Sequence, residues 1–224
     1  MGIGHVAIAL GASRATPRLN VGWLVFAALL SDFLLGIFAS LGLEHATVPP
    51  DYTSRHYLLF TFPYSHGLLA LIAWSTILGF LVSRALGFRG RQIWLVISLV
   101  ALSHFLLDGL VHVAGLPLIG ESSPKLGLGL WNHMPLELGL ETLMAISGIA
   151  IYWKLSGSGR SALSRYGMAV FVLLVTGMTW TQLWLVTPPK PQQLTISWIV
   201  VPIVFSGIAF GLDRRRVRQA CRQD

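Results

Sequence analysis

Residues 103–112 read SHFLLDGLVH inside a long apolar run, and the reading of this stretch decides the fold. His104, Asp108 and His112 recur every four residues. A step of four turns a helix by only about 40°, so the three side chains form a ladder on one face, roughly 12 Å long. Hydrocarbon penalises such groups unless they pair, hold a cation or face water. A membrane-crossing helix that carries all three is therefore expected to work on something.

The composition around the ladder agrees with a membrane setting. Of 224 residues, 54% are hydrophobic and only 11% charged, with a mean hydropathy of +0.68, values of a polytopic membrane protein rather than a soluble domain. The predicted fold is all-α: a transmembrane bundle of about six spans of ~20 residues. The spans fall near 21–42, 64–85, 92–113, 135–154, 165–187 and 194–212. A single integral domain covers 1–224, with the polar residues gathered in 1–145, supporting helices in 146–213 and a basic tail in 214–224. GIGHVAIALGA (2–12) is too short to span and is expected to be a half-helix or an interfacial helix; hydropathy alone does not place His5.

The net charge of +7 is not a nucleic-acid signal, because the cations sit in loops. Arg14 and Arg18 precede the first span. Arg84, Arg89 and Arg91 lie between the second and third, and Lys154, Arg160 and Arg165 between the fourth and fifth. Arg214, Arg215, Arg216, Arg218 and Arg222 end the chain, beside the lone Cys221. With six spans these regions share one side. The positive-inside rule then puts both termini in the cytoplasm, against membrane lipids. The other loops hold only Arg55, Lys125 and Lys190 as cations. On this topology His66, His104, Asp108, His112, Glu137 and Glu141 all fall in the outer half, with Asp32 near mid-span.

Histidine nitrogens and carboxylate oxygens are ligands for zinc and related divalent metals; manganese and iron are the other ions such a set takes. His104 and Asp108 can offer two ligands to one ion. His66 and Asp32 from neighbouring helices can complete a site, and Glu141 is a ligand, base or supporting partner. Simpler readings compete. A lone intramembrane histidine often only bridges helices, and for His112 that reading is as good as a functional one. Glu137 suits the N-terminal dipole of its own helix. His45, His56 and His133 are expected in solvent. Lys125 is either an anion receptor or an ordinary loop lysine, and Asn132 either meets substrate or caps the fourth helix.

The ordered set GHVAIALGA, SD in the first span, FPYSHGLLA, SHFLLDGLVH followed by LPL, and PKLGLGLWN leading to Glu141 resembles a family of small bacterial inner-membrane proteins. They are described as membrane-bound metal-dependent hydrolases, and the broader group includes the LexA-regulated membrane hydrolase-like proteins. That group is likened to zinc-dependent phospholipase C. The resemblance covers residues 1 to about 145. It implies metal ligation by His5, Asp32, His66, His104 and Asp108, with His112 and Glu141 in the subgroup pattern. It also implies that 2–12 folds into the bundle. The chain departs from the broader pattern where SD replaces a paired DxD and PYSH replaces an HRGxTHS-like stretch. Both changes remove potential ligands and favour one metal, or none, over two.

The reading is thus an inner-membrane, zinc-dependent hydrolase of an amphiphilic, phosphoester lipid. His5, Asp32, His66, His104 and Asp108 hold the metal, Glu141 or His112 moves a proton, and Lys125, Arg55 and Asn132 meet the substrate. Three rivals use the same residues: a proton- or cation-coupled transporter or channel, a bis-histidine haem protein on His66 and His104, and a purely structural hydrogen-bond network.

Overall fold

The computed structural model describes residues 2–154, 162–185 and 187–220; Arg160, Cys221 and Arg222 lie outside the described residues. Among the described residues five helices are long and apolar enough to cross a membrane, and the bent pair 21–28 and 30–40 makes six if it is counted as one span. The architecture is all-α, with two short hairpins in the loops.

Helix α1 (Gly2–Ala12) is about half a bilayer long and is buried inside the bundle, as the resemblance implied. Its small residues allow this. A Cβ added at Gly148 would stand 2.7 Å from the Ala7 carbonyl, so the backbones nearly touch there. The chain then reaches the end that carries Arg14 and Arg18, and α2 (Val21–Ala28) turns back. Asn20 caps α2 by accepting from Gly22 N–H at 2.9 Å.

At Leu29 the helix breaks, and α3 (Leu30–Ser40) continues at 52° to α2. The following loop holds strand β1 (His45–Thr47), the one-turn helix α4 (Tyr52–Arg55) and strand β2 (Leu59–Thr61), which pairs antiparallel with β1. Helix α5 (Leu68–Ala85) descends and α6 (Arg91–Val111) ascends beside it, joined by Ser98 Oγ donating to the Ser75 carbonyl. A second loop carries strands β3 (Leu116–Pro117) and β4 (Lys125–Leu126), antiparallel partners, before α7 (Met134–Lys154). Helix α8 (Ala162–Trp180) and helix α9 (Pro191–Ala220, with Pro202 inside) complete the bundle.

These bounds follow the sequence-based spans within a few residues, except that α9 runs well past 212. Alternation of the spans brings Arg14, Arg18, Arg84, Arg89, Arg91 and Lys154 to one end, the basic end. Contacts confirm the shared level: Gln92 Nε2 donates to the Ala15 carbonyl, and Asp213 of α9 accepts from Val21 N–H and from Tyr152 Oη. The apolar core of Leu10, Leu24, Ile97, Tyr152 and Met168 fills the basic half. Leu99, Leu106, Leu143, Leu173 and Leu174 are exposed on the helix flanks, a pattern suited to lipid and costly in water. The other half of the bundle surrounds the polar cluster.

A candidate metal centre at mid-bundle

Four imidazoles converge on one carboxylate. Asp108, on α6, is 2% exposed. Its Oδ2 lies 3.2 Å from His104 Nε2, 3.6 Å from His66 Nε2 and 3.5 Å from His112 Nε2, while its Oδ1 lies 3.2 Å from His5 Nε2. His104 and His66 bring their Nε2 atoms to 3.2 Å of each other, and Asp32 Oδ1 is 3.9 Å from both.

Local structure explains each placement. His104 is one turn before Asp108 on α6, and its Nδ1 donates to the Ala28 carbonyl, at the break between α2 and α3, at 2.8 Å. That break also swings Asp32 in α3 toward the cluster. His66 is not in a helix. It stands in the 62–67 turn ahead of α5, with its Nδ1 2.8 Å from Ser65 Oγ. Glu44 holds the turn by accepting from the Tyr64 and Ser65 amides. Burial pushes the Glu44 carboxyl above its ordinary range, and the Ser65 and Tyr64 hydrogen bonds pull it back. Gly67 closes the turn because a Cβ there would lie 2.3 Å from the Pro63 carbonyl oxygen. His5 arrives on the buried half-helix α1 and stacks on the His104 ring, centroids 3.8 Å apart and 2° from parallel.

His112 departs from the ladder. It sits just past the end of α6 in extended backbone, and its ring packs 3.9 Å from the Trp131 ring. Phe60 and Phe62 flank it, and Phe62 also covers His66 at 4.4 Å. Tyr57 stacks on Trp131 in turn. These aromatic rings cap the cluster on the side away from the basic end. Gly127 lets the 125–129 segment lie against the end of α6, since a Cβ would meet the His112 carbonyl at 2.4 Å.

The donor chemistry fits a cation. A carbonyl can only accept, so His104 Nδ1 carries a proton and the neutral ring presents a lone pair at Nε2. That lone pair faces the carboxylates of Asp108 and Asp32 and a second imidazole nitrogen. Such acceptors repel unless a proton or a metal ion lies among them. Two nitrogens bound to one tetrahedral zinc stand about 3.3 Å apart, close to the observed 3.2 Å. The ligand atoms of His5, His104 and Asp108, and those of Asp32, His66 and His104, each lie within 4.8 Å of one another. Both groups need His104, whose free ring nitrogen has a single lone pair, so the arrangement fits one ion better than two. A bis-histidine haem does not fit. Its axial nitrogens oppose each other across the macrocycle, about 4 Å apart, whereas His66 and His104 meet edge to face at 3.2 Å.

The other sequence candidates fall elsewhere. Glu141 is buried beside Glu137, close to the start of α1. Glu137 is buried as well, facing Glu141 rather than serving only its own helix end. Both acids sit where α1 presents its unpaired N–H groups. Lys125 pairs with Glu121, and Arg55 with Asp51 and with Tyr57 Oη at 2.6 Å, both toward the surface. Asn132 Oδ1 accepts from Tyr57 Oη at 3.0 Å, joining the aromatic cap. His45 and His133 are exposed, as expected. His56 is partly buried and its Nδ1 contacts the Leu185 carbonyl. Sequence reasoning missed the cap residues Tyr57, Phe60, Phe62 and Trp131, which carry no signal beyond ordinary loop aromatics. It also missed Ser65, whose place next to His66 was the available clue. Comparison with known proteins is silent: no family model, no curated protein and no solved structure matches the chain.

Proposed function

We propose that this chain is a metal-dependent hydrolase embedded in a membrane, acting on an amphiphile whose scissile bond is a phosphoester. The convergence of four imidazole Nε2 atoms on the Asp108 carboxylate carries the reading. The resemblance to the bacterial membrane-bound hydrolases supports the reaction class. It also supports a bacterial inner membrane, with the basic end in the cytoplasm.

His5, His66, His104 and Asp108 are assigned as the ligands, with Asp32 as the remaining oxygen donor. Zinc suits this nitrogen-rich set best. A zinc ion held there supplies Lewis acidity and activates water near neutral pH. The chain's own residues do the rest. The Ala28 carbonyl and Ser65 Oγ orient the His104 and His66 rings, and outer contacts of this kind govern metal affinity. His112, with Nε2 3.5 Å from Asp108 Oδ2 and a ring held by Trp131, is placed to take or give a proton at the edge of the cluster. Glu141, buried close to the start of α1, is the other group assigned to proton transfer. The Phe60, Phe62 and Trp131 rings keep bulk water from the centre.

The test is metal analysis by inductively coupled plasma mass spectrometry on detergent-purified protein, beside an Asp108→Ala/His104→Ala double variant. Near-stoichiometric zinc, manganese or iron that is lost in the variant supports the centre. It then justifies a screen of phospholipid substrates for release of a phosphate-bearing headgroup. Folded wild-type protein that stays metal-free after reloading refutes the hydrolase and leaves a proton relay through the same groups.

A further inference from the structure

Asp32 differs from the rest of the cluster. Its side chain is 31% exposed, against 1–8% for His5, His66, His104, Asp108 and His112. What it is exposed to is a cavity of about 220 Å³ between the α2–α3 break and α9. The geometry of α9 creates this space. Toward the basic end, α9 presses on α2 so closely that a Cβ at Gly22 would lie 2.6 Å from the Phe210 Cβ. Toward the other end it presses on α3, where a Cβ at Gly36 would lie 2.6 Å from Ile199. Between these clamps α2 and α3 bend by 52°, and the helices part.

The lining is mixed. Asp32 and Ser197 supply polar groups, while Leu29, Trp198, Val201, Pro202 and Phe205 make it otherwise apolar. Val201 is itself exposed on the bundle flank, among the residues of α9 that face outward. Ser197–Phe205 falls within the apolar stretch of α9, which runs from Gln192 to Arg214, so the mouth lies at membrane depth and not in either loop layer.

We infer that this gap is a lateral portal for the acyl chain of a membrane phospholipid, which brings the polar end of that lipid to Asp32. A polar floor beside the cluster, apolar walls and a mouth at hydrocarbon depth match an amphiphile and exclude a free water-soluble ester as the natural occupant. The inference rests on the reading of the cluster as a centre for amphiphiles, and it specifies how the substrate arrives.

The experiment uses the full chain in phosphatidylethanolamine–phosphatidylglycerol vesicles containing a trace of phospholipid with an alkyl diazirine in one acyl chain. Adducts are mapped by peptide mass spectrometry after illumination. The expected result is an adduct on the Leu29–Asp32 segment, which is lost in Ser197→Trp and in Val201→Trp, each of which fills the gap from α9. Label on the exposed Leu173 and Leu174 of α8 should persist in both variants and reports that they fold and insert. Adducts confined to Leu173, Leu174 and similar outer positions in the wild type would overturn the portal. So would Leu29–Asp32 label that both tryptophan variants leave undiminished, or equal label from a short water-soluble diazirine acid. The labelling needs no metal, so a metal-free preparation would sink the hydrolase reading while the portal is still read out.

Discussion

Replacing Asp108 by Asn separates a metal centre from a hydrogen-bond network. The substitution keeps the shape and one acceptor oxygen but removes the charge that four imidazoles approach at 3.2–3.6 Å. If the cluster holds zinc, binding to the folded state alone stabilises it by RT ln(1 + [L]/Kd), about 2.7 kcal/mol at a free metal concentration 100 times Kd. For a chain of 224 residues one kcal/mol moves the melting temperature by roughly 2–4 °C, so wild type should gain about 5–11 °C on going from chelator to zinc. Asp108→Asn should gain almost none, since it loses an anionic ligand shared by every histidine in the set. The assay is thermal unfolding in detergent, followed by tryptophan fluorescence, with each protein run in chelator and in buffered zinc. The quantity of interest is the zinc increment and not the absolute midpoint, which cancels any loss of stability common to both conditions. An increment of equal size in the variant, or none in a wild type that melts cooperatively, would refute the reasoning.

Ser65→Ala should leave the fold intact but weaken metal affinity by about 10–100-fold, the usual effect of removing an oriented partner from a ligating histidine, as measured by competition with a chelating dye. Gly148→Val should act on the centre from a distance by pushing α1 off α7, where a Cβ already meets the Ala7 backbone at 2.7–2.8 Å. Overpacking of this kind costs about 1–3 kcal/mol, and metal content should fall because His5 moves. Asp213→Ala should destabilise the protein by about 2–4 kcal/mol through two orphaned donors, the Val21 amide and the Tyr152 hydroxyl. In contrast to Gly148→Val, it should leave stoichiometric metal in whatever fraction stays folded.

Much of this was legible in the sequence because membranes make polar residues conspicuous. The His104–Asp108 pair, His66 and Asp32 stood out as costly groups at one depth, and the structure brings each carboxylate within 4 Å of the His66 and His104 Nε2 atoms. His5 was not placeable by hydropathy, since an 11-residue apolar segment suits an interface as well as an interior. The resemblance put it in the bundle, and the structure does too. The break at Leu29 has no proline or glycine to announce it; LLSD reads as ordinary helix. Nor could periodicity show that α6 ends at Val111, which turns His112 from the third rung of a ladder into a loop residue that reaches back. Asp213 was hidden for a different reason. It directly precedes three arginines and reads as part of a solvated tail, yet it is fully buried as the partner of α2.

The half-helix and the broken helix together account for why a centre can exist at this depth. A continuous bundle of six straight spans would offer side chains only from helix flanks, four residues apart, and would leave no backbone carbonyl facing inward. Here α1 begins at mid-bundle and delivers His5 from within its first turns. Helix-end N–H groups at that depth are costly in hydrocarbon, and the buried carboxylate of Glu141 lies close to them. The break at Leu29 sets the Ala28 carbonyl against His104 Nδ1 and, with α9 clamped on either side of it, opens a gap that reaches Asp32. The same distortion that orients a ligand therefore exposes the site to the membrane. Straightening it would disturb both, which is why the portal is best tested by filling the gap from α9, whose Ser197 and Val201 line the cavity.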